Sequence, residues 1–160
     1  MEKFFKNKKN QRGISLIWIV VTIAIIGILV KIVVSPLSSG KKIQILKTTT
    51  ETSIALLNQA RTRTLASDDA SVYGVHIETG RIVLFKGSTF TEPSVYNNVI
   101  TMPPEVAIAS ISLQGGGSDV VFKRLTGDTD YYGSFEIQVV GNTSTKRTVT
   151  IKKTGVVSSN

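Results

Sequence analysis

A long apolar run near the N-terminus constrains the fold more than any other feature of this chain. No side chain from Ile14 to Val30 is charged, and the apolar character continues past Lys31 to Val34. About 20 such residues form roughly 30 Å of α-helix, enough to cross the hydrocarbon core of a bilayer. We therefore predict a transmembrane or assembly helix over residues 14–34.

Positive charge is concentrated immediately before this run. The net charge is +8, and half of it comes from residues 1–13, which carry four lysines and one arginine against one glutamate. By the positive-inside rule this basic leader keeps the N-terminus in the cytoplasm and sends the rest of the chain outward. A cleaved secretory signal is the alternative, because small residues follow the run near Ser39, but the run is long for a removable signal.

Residues 35–69 predict an amphipathic continuation of the helix. Apolar residues recur there at helical spacing, while charged residues such as Lys47 and Glu51 occupy other faces. The stretch from Ser67 to Asp69 then ends the helix, because its side chains compete for backbone hydrogen bonds. The residues predicted on the apolar face are Ile43, Leu46, Ile54, Leu57 and Ala60.

Residues 70–160 predict a β-rich globular domain. From Ser71 the hydrophobic period becomes two, and two alternating runs around Thr79 and Gly80 predict a hairpin. Residues 87–104 are predicted to form a long irregular connection. The fold class is α+β, with one long N-terminal helix packed on an antiparallel sheet. The other predicted strands are 106–113, 120–125, 134–140 and 148–152.

The sequence lacks the usual components of a catalytic or metal site. It contains no cysteine, and His76, its only histidine, falls on the polar face of a predicted strand, where we expect it to be solvated. Two aspartate pairs, 68–69 and 128–130, lie in predicted turns, where a loosely bound calcium is the alternative to local hydrogen bonding. The GGGSD segment at 115–119 lacks the lysine and helix of a phosphate-binding loop. We predict no enzyme, no cofactor and no resident metal.

The N-terminal sequence resembles the signature of type IV pilins and type II secretion pseudopilins. In that signature a short basic leader ends in glycine and is followed by an apolar residue, a hydroxyl residue, leucine and isoleucine. Here Gly13, Ile14, Ser15, Leu16 and Ile17 occupy these positions, and AIIGIL follows at 24–29. The order of helix and strands, and the ending KRTVTIKKTGVV, are similar to minor pseudopilins of the GspH/FimT type. The resemblance implies a pilin-like fold.

The resemblance also implies a maturation pathway. A prepilin peptidase would cleave between Gly13 and Ile14 and methylate the new amino group of Ile14. The chain would wait in the cytoplasmic (inner) membrane as a single-pass protein, with its N-terminus in the cytoplasm and its C-terminal domain outside. It would then join other pilin or pseudopilin subunits in a cell-surface or periplasmic filament. The implied role is a minor subunit that assembles, primes or caps a type II secretion or type IV pilus filament.

One position departs from the family pattern. Most pilins and pseudopilins carry a glutamate four residues after the first mature residue, where this chain has Trp18. The family's carboxylate neutralises the terminal amine of a neighbouring subunit, and an unpaired amine in an apolar core is costly. The departure argues against incorporation as a bulk subunit and matters less for a subunit with no neighbour above it. The alternative is a tryptophan at the membrane interface, where this residue is enriched.

A second functional class is DNA binding, because some proteins of this type take part in DNA uptake. Basic residues flank the last predicted hairpin, and such a patch attracts phosphates through charge alone. The alternative is that lysines at an exposed strand edge prevent aggregation between strands. The candidate DNA-binding residues are Lys146, Arg147, Lys152 and Lys153, which Lys123 and Arg124 could join.

Overall fold

The computed structural model describes the backbone of residues 16–160 and the side chains of residues 16–29 and 40–160. By its contacts the chain divides into two compact units after Ser39. One helix, α1 (Leu16–Leu65), opens the described chain. A short 3-10 turn at Asp68–Ala70 follows it, close to the helix end that the sequence predicts.

Eight strands follow in two antiparallel sheets. The first sheet has the order β3-β2-β1-β5 and the second the order β4-β6-β7-β8. The β1–β2 hairpin turns at Thr79 and Gly80 and pairs Val75 with Leu84. The predicted α+β class, a helix packed on antiparallel strands, is confirmed. The strands are β1 (Tyr73–Glu78), β2 (Arg81–Lys86), β3 (Asn98–Thr101), β4 (Val106–Leu113), β5 (Asp119–Val121), β6 (Gly133–Val139), β7 (Asn142–Ile151) and β8 (Val157–Ser159).

Helix residues 46–64 supply a stripe that shares one core with both sheets. Leu46, Leu57 and Ala60 are buried at helical spacing in this core. Thr50 and Thr64 lie on the same stripe and are fully buried. Each hydroxyl donates to the carbonyl oxygen four residues earlier, at 2.7 Å and 2.9 Å, so no polar group on these two side chains is left unpaired.

The structure corrects four details of the sequence prediction. Ile43 is expected on the apolar face of the helix but is 57% exposed. The connection over 87–104 contains a strand, β3, which pairs with β2, and the C-terminal β8 is not among the predicted strands. Both faces of β2 are buried, because Phe90 from the following loop packs edge-on against Phe85. The alternating pattern of β2 therefore does not mark a solvent face.

Two turns near the end of α1 are held together by close backbone contact. The amide of Thr129 donates to the carbonyl of Lys153 at 2.9 Å. The Arg61 side chain donates to the carbonyl of Gly127 at 3.1 Å and to that of Thr154 at 3.3 Å, so it links both turns to the helix. A Cβ atom at Gly155 would overlap the carbonyl oxygen of Gly127. Glycine is therefore required at position 155.

We expect Gly155→Ala to be strongly destabilising. Gly155 has φ +72°, and Gly141 in the β6–β7 turn has a similar φ of +82° with no atom within 4 Å of the position that a Cβ would take. Gly141→Ala, the matched control, should cost only the left-handed strain of about 1–2 kcal/mol. Gly155→Ala adds overpacking and should cost about 3 kcal/mol or more. Denaturant unfolding of the full chain in detergent micelles measures both; equal losses would contradict the proposed contact.

Candidate functional site

The first part of α1 presents apolar side chains in every direction. Eleven large apolar residues between Leu16 and Leu29 are at least 46% exposed. Thr22 carries the only hydroxyl in this stretch, and its Oγ1 donates to the carbonyls of Trp18 at 2.7 Å and Ile19 at 2.9 Å. The stretch therefore satisfies its own hydroxyl and leaves an almost wholly apolar surface.

The predicted anchor falls only partly within the described residues. Gly13 and Ile14, the predicted cleavage and methylation positions, lie outside them, as does the whole basic leader. Trp18 lies on the exposed helix and is 70% exposed. Within the described part of the chain, no helix combines the length and apolar character needed to span a membrane.

The four candidate DNA-binding residues do not form one patch. Lys146 and Arg147 are consecutive in β7, so their side chains leave opposite faces of the sheet. The Lys146 ammonium is paired with both carboxylate oxygens of Glu136, at 2.9 Å and 3.0 Å. Lys152 and Lys153 lie beyond the end of β7 in the turn toward β8. The structure thus separates Lys146 and Arg147 from the two later lysines.

Lys152 and Lys153 instead join other basic residues at the end of α1. Because the turn over 123–128 contacts the turn over 152–156, the structure brings Arg61, Lys123, Arg124, Lys152 and Lys153 into one basic turn cluster. Lys123 is paired with Asp130 at 2.6 Å. Among the described side chains, no carboxylate pairs with Lys152 or Lys153. Sequence reasoning identifies four of these residues but cannot place Arg61 among them.

His76 belongs to a network of charged groups rather than to a solvated surface. Its Nδ1 lies 2.5 Å from Asp119 Oδ1 and its Nε2 lies 3.0 Å from Glu78 Oε1. The imidazole is stacked on Phe90, with ring centroids 4.0 Å apart, and its side chain is only 17% exposed. The prediction of a solvated histidine is therefore wrong, although its strand face is predicted correctly. The signal that sequence reasoning misses is Phe90, which lies in the loop after β2.

Arg81 extends this network to the loop after β2. Its Nε donates to Glu78 at 2.6 Å, and its two terminal nitrogens donate to the two carboxylate oxygens of Glu92 at 2.8 Å and 2.7 Å. The hydrogen bonds from Arg81 hold the pKa values of Glu92 and Glu78 below their usual range. The bidentate pair ties the loop that carries Phe90 to the β1–β2 hairpin.

Three of the four aspartates in the predicted pairs, Asp68, Asp69 and Asp130, form ion pairs with basic side chains. Asp68 accepts from Arg63 at 2.8 Å and Asp69 from Lys86 at 3.0 Å. The hydrogen bond from Lys86 lowers the pKa of Asp69. Among the described residues, no group of three histidine, aspartate or glutamate side chains is arranged to hold a metal ion.

Comparison with known proteins identifies the fold. No protein-family model matches the chain, and no curated protein matches it in sequence. A solved structure, the crystal structure of the type IV minor pilin FimU of Pseudomonas aeruginosa, matches with a TM-score of 0.53. The match covers 72% of this chain and 92% of FimU at 13% sequence identity. The predicted pilin-like fold is confirmed, whereas the GspH/FimT type stays a prediction.

We expect the contribution of Glu92 to stability to vanish in acid. Its pKa is lowered in the folded chain, so the Arg81 pair stabilises the fold above the unfolded pKa of about 4.3 and is lost as pH falls through the folded pKa. Glu92→Gln should lower the thermal unfolding midpoint by similar amounts at pH 7 and at about pH 5. Near pH 2 it should hardly change the midpoint. Thermal unfolding of the full chain in detergent micelles at several pH values measures this difference.

The control for this experiment is Glu105→Gln. Glu105 makes no ion pair with a described side chain, so its replacement removes a carboxylate without removing such a contact. It should leave the midpoint nearly unchanged throughout the same pH range. A Glu92→Gln deficit that persists undiminished in acid would contradict the assignment to the ion pair.

Proposed function

We propose that this chain is a minor pilin-like subunit that helps to assemble, prime or cap a type II secretion or type IV pilus filament. The observation that carries the proposal is the fold shared with the minor pilin FimU, which is matched over 92% of its length. In this proposal the chain is a structural subunit rather than an enzyme, and its partners are other pilin or pseudopilin subunits.

The exposed apolar stretch of α1 supports a role that requires a covering partner. Completing the burial of its eleven large apolar side chains would contribute on the order of 10–20 kcal/mol, at about 1.5–3 kcal/mol for each full burial. Lipid tails and neighbouring apolar helices are similar surroundings for these side chains. The stretch could therefore anchor the subunit in the inner membrane and later enter the apolar core of a filament at little net cost.

Trp18 bears on the position of the subunit in the filament. An indole donates one N–H and cannot neutralise the terminal amine of a neighbouring chain. We infer that the subunit occupies an end of the filament, where no neighbour needs that carboxylate. The exposure of Trp18 on the apolar helix is equally compatible with a tryptophan at the membrane interface, and the location of labelled protein at filament ends or along the shaft distinguishes the two.

Processing provides the most direct test of the proposal. Co-expression with a prepilin peptidase should remove 13 residues and leave a methylated Ile14 as the terminus, which intact-mass spectrometry detects. Gly13→Leu should block cleavage because the peptidase site is lost, whereas Gly27→Leu, the same exchange within the exposed helix, should be cleaved normally. An intact leader, or a terminus near Ser39, would refute the pilin-like function.

The basic turn cluster favours a second candidate function, which is DNA binding during DNA uptake. Lys152, Lys153 and Arg124 present positive charge on two adjoining turns, and all three are exposed. Lys146 is a weaker candidate because Glu136 neutralises it. Recognition of this kind is electrostatic, depends little on sequence and weakens steeply with salt.

We expect a triple variant, Arg124→Gln with Lys152→Gln and Lys153→Gln, to weaken binding to duplex DNA. The basic leader contributes equally to both proteins, so the difference between them reports the cluster. Loss of three phosphate contacts should reduce the slope of log K against log salt by roughly three. Fluorescence anisotropy of labelled DNA with the full chain in zwitterionic micelles measures the slope. Lys146→Gln is the control and should change little; an unchanged slope in the triple variant would exclude the cluster as the DNA site.

A further inference from the structure

A polar cleft on the folded unit shares no lining residue with the basic turn cluster. It has a volume of about 250 Å³ and lies between Ser88 and Thr89 of the loop after β2, the turn at 115–118, Asp119 and Tyr131. We call it the glycine-loop cleft. No lysine or arginine is among the residues that line it, so the cleft is poorly suited to an anionic ligand.

The lining of the cleft combines one aromatic ring with several hydrogen-bonding groups. Tyr131 is 41% exposed and supplies a flat apolar surface with a polar tip. Ser88, Thr89 and Ser118 provide hydroxyls, which both donate and accept. Asp119 provides the carboxylate. Such a surface matches a ligand that is uncharged, carries many hydroxyls and has one apolar face, which is the chemistry of a pyranose ring.

Asp119 is fixed in position before any ligand arrives. One of its carboxylate oxygens is held by Nδ1 of His76. His76 is in turn held by Glu78 and stacked on Phe90. The Asp119 side chain nevertheless stays 34% exposed, so it can still accept hydrogen bonds from a ligand. A fixed acceptor reduces the ordering cost that a ligand would otherwise have to overcome.

The glycines keep the cleft open beside the tyrosine ring. Gly115 and Gly116 have φ values of +92° and +65°, which glycine adopts without strain. A Cβ atom at Gly115 would lie 3.7 Å from Tyr131 Cδ1, so the turn packs directly beside the ring. The residues at 115–117 contribute no side chain that would cover the tyrosine.

We propose that the glycine-loop cleft binds a neutral saccharide. The cleft is smaller than the roughly 300–1,000 Å³ pockets that enclose a drug-sized ligand, so it holds about one sugar ring of a longer glycan. Tyr131 packs against the apolar face of that ring, while Asp119 and the surrounding hydroxyls bind its hydroxyl groups. This inference is independent of the filament role, since the cleft lies wholly within residues 40–160.

The test is an NMR titration of the full chain with defined oligosaccharides. The ¹⁵N-labelled protein is held in dodecylphosphocholine micelles, because sugar-based detergents would compete. Maltotetraose, chitotetraose and mannotetraose are the neutral probes, and an oligogalacturonate is the anionic probe. We expect at least one neutral probe to bind at millimolar concentration and to shift the amide signals of Gly115, Gly116 and Gly117, leaving those of Gly80 and Gly141 in other turns unchanged.

Variants separate the cleft from the rest of the surface. Tyr131→Ala should raise the Kd about tenfold or more, because it removes the stacking surface, and Asp119→Asn should also weaken binding. Tyr132→Ala is the matched control, since Tyr132 is a neighbour of similar exposure, 38%, that does not line the cleft, and it should bind normally. Dispersed spectra of each variant establish that it is folded.

Three results would overturn the proposal. One is that no neutral probe shifts the signals of Gly115–Gly117. Another is that folded Tyr131→Ala binds as well as the original chain. The third is that the anionic probe binds in preference to the neutral ones, which would point to charge and to the basic turn cluster. Processing by the prepilin peptidase is unaffected by any of these results, so failure here is distinguishable from failure of the filament role.

Discussion

The packing of helix residues 46–64 against both sheets is the interaction on which the folded unit depends. Apolar residues from α1, the first sheet and the second sheet form one shared buried cluster. Leu57 and Ala60 are fully buried there. Ala60 adds a small apolar side chain to this core, while the buried threonines satisfy their hydroxyls within the helix.

Local patterns in the sequence predict the longer strands well and the short edge strands poorly. The strand predicted over 106–113 coincides with β4, and the β1–β2 hairpin has the predicted turn, because alternating residues and turn residues are local signals. β3 and β8 are short edge strands that each pair with the preceding strand, β3 with β2 across a long loop and β8 with β7 across a turn. Short edge strands are stabilised by this pairing more than by their own composition, so their sequences carry little signal.

The candidate sites show the same contrast between local sequence signals and contacts made only in the fold. Sequence alone locates the charged residues, but it cannot predict which of them are neutralised. The sequence makes Lys146 a candidate for phosphate contact. In the structure, the register of β6 and β7 places Glu136 within ion-pair distance of it. The sequence predicts a solvated His76. In the structure, Phe90, a loop residue 14 positions later, is stacked on the imidazole. Contacts between separate segments determine the chemistry of a side chain. These contacts cannot be predicted from a single sequence without its fold.

The described chain carries three surfaces that depend on different forces. The apolar stretch of α1 would be stabilised by burial against other chains or lipid. The basic turn cluster depends on long-range charge, which salt screens. The glycine-loop cleft depends on short-range contacts of a ring and hydroxyls, which salt scarcely affects. Apart from Arg61 on α1 and Asp119 in β5, the residues named for the last two surfaces lie in loops and turns, where side chains tolerate change better than in the core. In the proposed pilin-like subunit, the apolar helix could keep its assembly role while exposed turns acquire separate binding properties.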